Sequence, residues 1–495
     1  MSAFRRLLKN SAANVASGAA NAILALLLPP VLVRHLSADV FSTWSVVLQI
    51  AAIVNLFGFG VQVAVGRYVA HCTASGQERL RQEIVSTAFA VLWSSALLAL
   101  GVLLVLAVFT PLLFPGMPQA LHGPARLALL LVGASFAFSL PASVAAGVFT
   151  GFQRNELPAY VVVGSRIAIA AALVVTASLT GDLVDMAFAY AVINVAAAGV
   201  QLWLLHRIYP EIAFRRNAVT RQAARELVSY CTSLTIWSLG MLAIGGLDSV
   251  IAGRIDFHWA GYFAVAGSIV TIIVGVQAAL LQPLVAVSAQ LHSQGARDRL
   301  GELLIEATRT NALFFALSVL PLYLAGAPLL ALWLGEPFAR EVLPVAQVLL
   351  LGIYARQTLA PFATILLGTG EQRLVIVTVV YEGATKLILS IALGSLLGPI
   401  GVALGTLAGG LICLASNMVI NFPRVTGFTT DVPRFLVHGI AMPTLVMAPM
   451  VAIAWSEWSL GPSLTLATRA LTALAIVIAA AAMARPALGR LRELV

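Results

Sequence analysis

The chain has 495 residues, of which 60% are apolar and 10% are charged, and its net charge is +9. Soluble domains carry about a quarter charged residues, so this composition excludes an ordinary soluble enzyme. The basic residues lie between hydrophobic segments instead of on one polar face, which excludes a nucleic-acid-binding protein. We therefore predict an integral membrane protein.

Apolar runs long enough to cross a bilayer follow one another along the whole chain. A crossing needs about 20 mainly apolar residues, and backbone groups in lipid must be paired within one segment, so each run is predicted to be an α-helix. The fourteen predicted helices cover 11–33, 40–65, 84–109, 127–150, 157–180, 186–205, 227–252, 260–287, 310–332, 342–367, 374–397, 399–420, 435–455 and 463–484. The predicted fold class is an all-α polytopic membrane protein.

The distribution of Lys and Arg predicts that both chain ends face the cytoplasm. With the N-terminus inside, 21 of the 29 basic residues fall on the cytoplasmic side and five on the outer side. Positive residues are enriched in cytoplasmic loops, so this bias sets the orientation. Trp259, Trp333, Trp455 and Trp458 fall at predicted outer boundaries, where indoles anchor helices.

A segment of about 220 residues is repeated within the chain. Thr150–Arg154 recurs as Thr369–Arg373, and Pro141, Arg34 and Gln62 match Pro361, Arg254 and Gln282. Each copy contains six predicted helices, so both copies have the same orientation and form two parallel lobes. Two such lobes are typical of an alternating-access transporter with a substrate site between them.

The predicted domains follow from this repeat. They are an N-lobe of helices 1–6 (1–205), a basic cytoplasmic linker (206–226), a C-lobe of helices 7–12 (227–421), and helices 13 and 14 with the C-terminal tail (422–495). The linker contains five arginines. They indicate a loop that fixes the topology or, as the alternative, a surface for anionic lipid headgroups.

Four charged residues lie near the middle of otherwise apolar helices, namely Arg166, Arg356, Glu382 and Lys386. A midplane charge costs about 2.5–3.5 kcal/mol on insertion, so such residues usually face a bundle interior or a wet cavity. Glu382 and Lys386 are four residues apart on one helical face, which predicts an ion pair within the lobe or a role for Glu382 in ion coupling.

The three cations are the candidates for substrate binding. Arg166 aligns with Lys386 across the repeat, so each lobe offers a cation at an equivalent place. A cavity containing Arg166, Arg356 and Lys386 would be positive. It would suit a diphosphate, for which Arg offers a planar fork and Lys a point charge.

Polar residues in the first two helices of each repeat are candidates for the cavity wall. They are Asn14, Asn21, Asn55, Gln62, Gln277 and Gln282. The alternative is that they join helices to one another. Asp248 lies near the outer end of helix 7, within reach of Arg254 if the chain turns, and is interpreted as an outer gate or as an interfacial carboxylate.

The sequence carries none of the common catalytic or nucleotide-binding motifs. It has no Gly-x-Ser-x-Gly elbow, no phosphate-binding Gly-Lys-Ser/Thr loop and no His-Glu-x-x-His, and its three cysteines and seven histidines are dispersed. We therefore expect no enzyme, no cofactor and no metal. The energy source is predicted to be an ion gradient or the gradient of the substrate.

Several short segments resemble the polysaccharide-transport family, which includes Wzx-type O-antigen flippases. They are Leu36–Phe41, Phe57–Gly60, Arg67–Ala70, Gly151–Arg154, Gly368–Arg373 and Leu247–Asp248. The family is part of the multidrug/oligosaccharidyl-lipid/polysaccharide exporter superfamily. The resemblance implies that the chain moves a polyprenyl-diphosphate-linked oligosaccharide across a bacterial inner membrane, among membrane lipids and with a glycan polymerase and a chain-length regulator as possible partners.

Three alternatives stay open beside an O-antigen, capsule or exopolysaccharide flippase. A lipid II flippase of the same superfamily also has fourteen helices. A cation-coupled multidrug exporter of this superfamily usually has twelve helices and embedded carboxylates, whereas predicted helices 1–6 hold no buried acid here. A membrane polymerase or ligase comes last, because the predicted outer loops are short.

Overall fold

The computed structural model describes residues 23–494 except 59, 213, 372 and 461–465. All of the regular elements in these residues are helical. In chain order they are α1 (Ile23–His35), α2 (Ala38–Ala52), α3 (Val61–Ala74), α4 (Glu78–Leu113), α5 (Gln119–Gly151), α6 (Glu156–Leu179), α7 (Leu183–Ile208), α8 (Arg221–Gly245), α9 (Asp248–Ile255), α10 (Trp259–Ser293), α11 (Arg297–Leu334), α12 (Glu336–Gln357), α13 (Ala360–Thr369), α14 (Arg373–Leu397), α15 (Pro399–Ser416), α16 (Val432–Arg434), α17 (Met442–Leu460) and α18 (Leu466–Leu494). Turns of 3₁₀-helix occupy Ile53–Gly58, Arg216–Ala218 and Phe422–Arg424, and π-helical turns occupy Asn417–Asn421 and Phe435–Ala441.

The apolar helices confirm the prediction of an all-α polytopic membrane fold. Among the described residues, 12 helices are long and apolar enough to cross a membrane, and the bent helix α8 makes a thirteenth. The first predicted helix lies partly outside the described residues, and its described part, α1, is shorter than a span. The count of fourteen and the cytoplasmic location of both ends stay predictions.

Three predicted helices are interrupted, which the apolar pattern did not indicate. The run 40–65 forms α2, a 3₁₀ turn and α3, and Gly60 precedes α3 with a φ of 68° that disfavours other residues. The run 227–252 stops at Gly245 and resumes as α9. The run 342–367 breaks between α12 and α13, and Pro361 lies in the first turn of α13, where a proline is tolerated.

The contacts within the chain divide it into two compact units, Met1–Ala264 and Val265–Val495. Helices α8 and α9 lie in the first unit, although the repeat assigns them to the C-lobe. In this unit the backbone N–H of Val250 donates to Gln49 Oε1 at 3.1 Å, and Leu234 packs directly on Gly60. The boundary in the linker 206–226 comes from the repeat and stays a prediction.

In the first unit, the linker is held against α4 and α5. Its Tyr209 ring stacks on Phe152 with ring centroids 4.3 Å apart. The backbone N–H of Arg215 donates to Ser86 Oγ and that of Thr220 to Thr87 Oγ1, each at 3.2 Å. Apolar residues of α3, α4, α5 and α8 form one buried cluster with the linker, so the chain enters α8 from a fixed position.

In the second unit, α14 and α15 approach closely through a row of glycines. A Cβ atom at Gly405 would lie 2.5 Å from the Cα atom of Ser390, and one at Gly409 would lie 2.6 Å from Lys386 Cβ. Small residues allow such contact between membrane helices, which gain stability there from packing. The glycines of α15 therefore form a packing surface for α14.

A single methyl group at this contact is expected to destabilise the protein. Gly405→Ala should lower the free energy of unfolding by about 1–3 kcal/mol, because the added Cβ meets backbone that must shift. The matched control is Gly199→Ala on α7, where a Cβ meets nothing within 4 Å. Thermal unfolding of the detergent-solubilised variants measures both. Equal midpoints for the two variants would contradict the close contact.

Candidate functional site

The helix interruptions place polar groups within apolar spans. Irregular backbone at membrane depth is tolerated only where it is buried in protein or lines a water-filled cavity, and discontinuous helices form the substrate sites of many transporters. Asn55 lies in the 3₁₀ turn between α2 and α3 and is exposed, while Arg356 and Gln357 are the last residues of α12. Each interruption marks a candidate site within its own unit.

The central feature of the second unit is an ion pair between α12 and α14. Arg356 Nε lies 2.5 Å from Glu382 Oε1, and the two side chains are 17% and 2% exposed. Glu382 also accepts a hydrogen bond from the thiol of Cys413 on α15. The carboxylate of Glu382 is therefore compensated by a charge that lies 26 residues away in sequence.

Lys386 belongs to the same cluster. It lies one turn after Glu382 and close enough to interact with it electrostatically. Its side chain is 1% exposed and packs against the glycine row of α15. The carboxylate of Glu382 therefore interacts with two cations. The sequence predicted Lys386 as its ion-pair partner, whereas the ion pair at 2.5 Å is formed with Arg356 on α12.

Neutral amides extend this cluster towards α10 and α11. Gln357 Nε2 donates to Gln277 Oε1 at 2.8 Å, and Gln277 Nε2 donates to Asn311 Oδ1 at 2.9 Å. Asn311 Nδ2 in turn donates to the backbone carbonyl of Gln357 at 2.7 Å, in the last turn of α12. A hydrogen-bonded chain therefore runs from Gln277 through Gln357 and Arg356 to Glu382 (Arg356 Nη1 to Gln357 Oε1, 3.4 Å).

In the first unit, Arg166 is exposed in the middle of α6. Its guanidinium is a hydrogen-bond partner of Tyr190 on α7. The Tyr190 ring makes edge-to-face contacts with Trp44 and Phe136, with centroids 6.1 and 5.9 Å away. Aromatic rings from three helices therefore fix the position of the Tyr190 hydroxyl, which is hydrogen-bonded to Arg166.

The predicted gate residues lie at the beginning and the end of α9. Asp248 is half-buried in the first turn, and Arg254 lies in the last turn. Arg254 Nη1 donates to the backbone carbonyls of Leu112 and Leu113 at 2.7 and 2.8 Å. These are among the last carbonyls of α4, which lack partners within their own helix, so Arg254 caps α4 and fastens α9 to it.

Removing this cap should loosen α9. We expect Arg254→Gln to raise the hydrogen-exchange rates of α9 amides about tenfold, since each charge-assisted hydrogen bond at a partly exposed site contributes on the order of 1 kcal/mol. Arg340→Gln is the control, because its exposed pair with Glu336 lies on α12. Unchanged exchange in Arg254→Gln would contradict a fastening role. Hydrogen exchange with mass spectrometry measures both variants.

The residues predicted to line the cavity wall differ in their exposure in the structure. Asn55, Gln62 and Gln282 are exposed, whereas Gln277 is 2% exposed and belongs to the buried amide chain. Asn14 and Asn21 lie outside the described residues. Gln277 therefore joins helices, which is the alternative that the sequence left open for this group.

Sequence reasoning missed Asn311, Gln357 and Tyr190. Gln357 follows Arg356 directly and stands four residues before Pro361, so the combination of a charge and a helix breaker was an available signal. Tyr190 and Asn311 gave no such signal, because single polar residues in apolar helices are common. Within the described ranges, no three His, Cys, Asp or Glu side chains are grouped so that they would hold a metal ion.

Comparison with known proteins gives one family match and several solved structures of similar fold. A family described as polysaccharide biosynthesis protein matches residues 7–292. No curated protein sequence matches. A solved structure of the lipid II flippase MurJ in an inward closed conformation is similar with a TM-score of 0.71 at 14% identity, over 96% of this chain and 98% of that one.

Two MATE transporters have related folds. The eukaryotic MATE transporter AtDTX14 is similar with a TM-score of 0.62 at 14% identity, over 86% of this chain and 96% of that one. An inward-facing multidrug resistance MATE family transporter of the MOP superfamily is similar with a TM-score of 0.57 at 13% identity, over 90% and 96%. At these identities the likeness shows the fold alone.

Proposed function

Because the chain belongs to the polysaccharide biosynthesis protein family, we propose that it is a flippase for polyprenyl-diphosphate-linked oligosaccharides. It would act in a bacterial inner membrane by alternating access and supply O-antigen, capsule or exopolysaccharide assembly. A glycan polymerase and a chain-length regulator would receive its product. The protein would be a transporter and not an enzyme.

This proposal rests mainly on the exposure of Arg166. An arginine in the middle of an apolar helix is costly, and its exposure leaves the planar guanidinium able to meet a phosphate in bidentate fashion. Tyr190 orients the guanidinium by its hydrogen bond. In the second unit, Arg356 would be a further phosphate-binding cation at the interrupted end of α12, where its side chain is 17% exposed.

Glu382 and Lys386 would couple substrate binding to an ion and would not contact the substrate directly. Both are almost fully buried, and Lys386 would reach a ligand only if α14 and α15 separated. A diphosphate that binds Arg356 would compete with Glu382 for the guanidinium. The released carboxylate would then be held by Lys386 or take up a proton, which links substrate binding to an ion.

The Arg166 side chain offers a direct test. We expect Arg166→Gln to reduce translocation about 10- to 100-fold at normal membrane insertion, which corresponds to the loss of one charge-assisted hydrogen bond. Arg166→Lys should retain part of the activity, because the charge remains without the planar fork. The measurement is appearance of labelled lipid-linked oligosaccharide in the outer leaflet of proteoliposomes.

The control for this test is Arg79→Gln, at a side chain that is 94% exposed and paired with Glu83. It removes one positive charge from the same unit without touching Arg166. Translocation at the normal rate in Arg166→Gln would overturn the assigned role. A reduction that Arg79→Gln shares would show a general effect of charge.

Lipid II is the second candidate substrate, because the likeness to the lipid II flippase extends over nearly the whole of both chains. Lipid II and a lipid-linked oligosaccharide share a polyprenyl diphosphate, so Arg166 and Arg356 would serve either one. Competition between lipid II and a lipid-linked oligosaccharide in the same proteoliposomes distinguishes the two candidate substrates. Preferential transport of lipid II would replace the first proposal.

A cation-coupled multidrug exporter is the third candidate, supported by the fold shared with the MATE transporters. Its embedded carboxylate would be Glu382. The ion pair with Arg356 argues against this role, since the carboxylate is already compensated. Export of cationic dyes that depends on Glu382 would favour it.

A further inference from the structure

An apolar pocket lies between α3, α4 and α8 in the first unit. Its volume is about 350 Å³. Val61, Leu227 and Cys231 are 1–3% exposed and form its floor. Val228 and Ile236 stand at its open side and are 58% and 42% exposed. The pocket therefore opens away from the core of the unit.

The two threonines of the pocket add no free polar group. Thr232 Oγ1 donates to the backbone carbonyl of Val228 at 2.8 Å, and Thr235 Oγ1 donates to that of Cys231 at 2.9 Å. With their hydroxyls bonded within the helix, both threonines add mainly methyl surface to the lining. A water molecule needs two to four polar partners to be held in such a space, so the lining favours a hydrocarbon.

Two arginines stand on the same face of α8 as this pocket. Arg221, Arg225, Val228 and Thr232 follow one another at spacings of four, three and four residues, which forms one stripe along a helix. At about 1.5 Å per residue, Arg225 lies roughly 5 Å and Arg221 roughly 10 Å beyond Val228 along the axis. Both arginines are exposed.

The neighbouring carboxylate does not neutralise this stripe. Glu226 lies on an adjacent face of α8, where it accepts a hydrogen bond from Gln222 at 3.3 Å. The distribution of basic residues predicts that this end of α8 lies at the cytoplasmic surface, where anionic headgroups attract Lys and Arg. The stripe thus combines a cationic end in the headgroup region with an apolar pocket below it.

We propose that this pocket binds an anionic phospholipid of the cytoplasmic leaflet, with its phosphate at Arg221 and Arg225 and one acyl chain between α3, α4 and α8. Charge complementarity selects an anionic headgroup, and the apolar lining selects a hydrocarbon chain. A volume of about 350 Å³ holds roughly a dozen groups the size of water or methylene, which corresponds to a large part of one acyl chain.

A lipid bound in this pocket would affect the shape of α8. The helix bends by 44° between its segments Arg221–Ser229 and Leu234–Gly245, and the pocket is lined by residues from both segments. Val61, on the floor, is the first residue of α3, directly after the interruption that follows α2. A bound acyl chain therefore contacts the bend and the interruption together.

Native mass spectrometry tests the proposal on the full-length protein released from nanodiscs. The nanodiscs contain equal amounts of phosphatidylglycerol and phosphatidylcholine. We expect one phosphatidylglycerol to remain bound to the wild-type protein. Arg221→Gln/Arg225→Gln should reduce its retention at least tenfold, because each basic residue near an anionic surface contributes to binding. Val228→Trp should reduce it similarly by filling the pocket.

Two matched control variants test whether the loss of phosphatidylglycerol is specific to this pocket. Arg215→Gln/Arg216→Gln removes the same charge from a different, polar pocket beside the first turns of α4, and should leave retention unchanged. Leu97→Trp adds the same ring at an α4 residue that is 68% exposed and lies outside the pocket lining. Equal retention of phosphatidylcholine, or retention that survives Arg221→Gln/Arg225→Gln, would overturn the proposal. So would displacement of phosphatidylglycerol from this pocket by polyprenyl diphosphate.

Discussion

Glu382→Ala is expected to lower the free energy of unfolding by about 3–5 kcal/mol and to abolish translocation. The substitution leaves two cations without their counter-charge, Lys386 at 1% exposure and Arg356 with a side chain at 17% exposure. A buried charge that loses its counter-charge is costly, because apolar surroundings solvate an ion poorly. Chemical or thermal unfolding in detergent measures the loss.

The control is an exposed pair of the same two residue types. Glu336 and Arg340 lie 3.1 Å apart on α12 with side chains 71% and 79% exposed, so Glu336→Ala should change stability by less than about 1 kcal/mol. If both variants unfold alike, the Glu382 cluster is not a buried ionic cluster.

A triple variant separates stability from transport. Arg356→Met, Glu382→Met and Lys386→Met together remove every charge of the cluster, and replacing a buried ionic group with apolar residues is often neutral or stabilising. We expect this variant to regain most of the stability and to remain inactive. Recovery of translocation in the triple variant would refute a role of the cluster in coupling.

The helical fold follows from the sequence because lipid leaves the backbone few choices. Long apolar runs must pair their own backbone groups, so their positions predict helices well. The interruptions were harder to predict. Pro141 and Pro361 match across the repeat, yet α5 continues through Pro141, whereas α12 ends a few residues before Pro361. A proline at this position of the repeat therefore does not by itself decide whether the helix breaks.

The sequence singles out the charged residues of the apolar helices but does not reveal how they pair. Arg166, Arg356, Glu382 and Lys386 stand out because a charge in an apolar run is costly, whatever it contacts. The partner of a charge depends on which helices meet, and Arg356 and Glu382 come from helices whose contact no local pattern reveals. For the same reason, the sequence did not reveal the hydrogen bonds of Gln357. Its side-chain amide and its backbone carbonyl both belong to the network.

The second large effect is expected at Glu306 on α11. Its side chain is 1% exposed and lies between Arg490 Nη1 at 2.6 Å and Arg309 Nη1 at 3.6 Å. Arg490 belongs to α18, so this carboxylate fastens the last helix to α11. Glu306→Ala should cost about 3–5 kcal/mol of unfolding free energy, because Arg309 has a side chain only 10% exposed and would lose its counter-charge.

Glu302 provides the comparison, one turn earlier on the same helix. It pairs with Arg434, and both side chains are about one-third exposed, so Glu302→Ala should cost less than about 1 kcal/mol. Arg490→Ala should be intermediate, since Arg490 is 50% exposed and Arg309 would still neutralise Glu306. Unfolding midpoints in this order, Glu306→Ala lowest and Glu302→Ala highest, are the expected result. Because this cluster shares no residue with the Glu382 network, a Glu306→Ala protein that remains folded should still translocate substrate, whereas a Glu382→Ala protein should not.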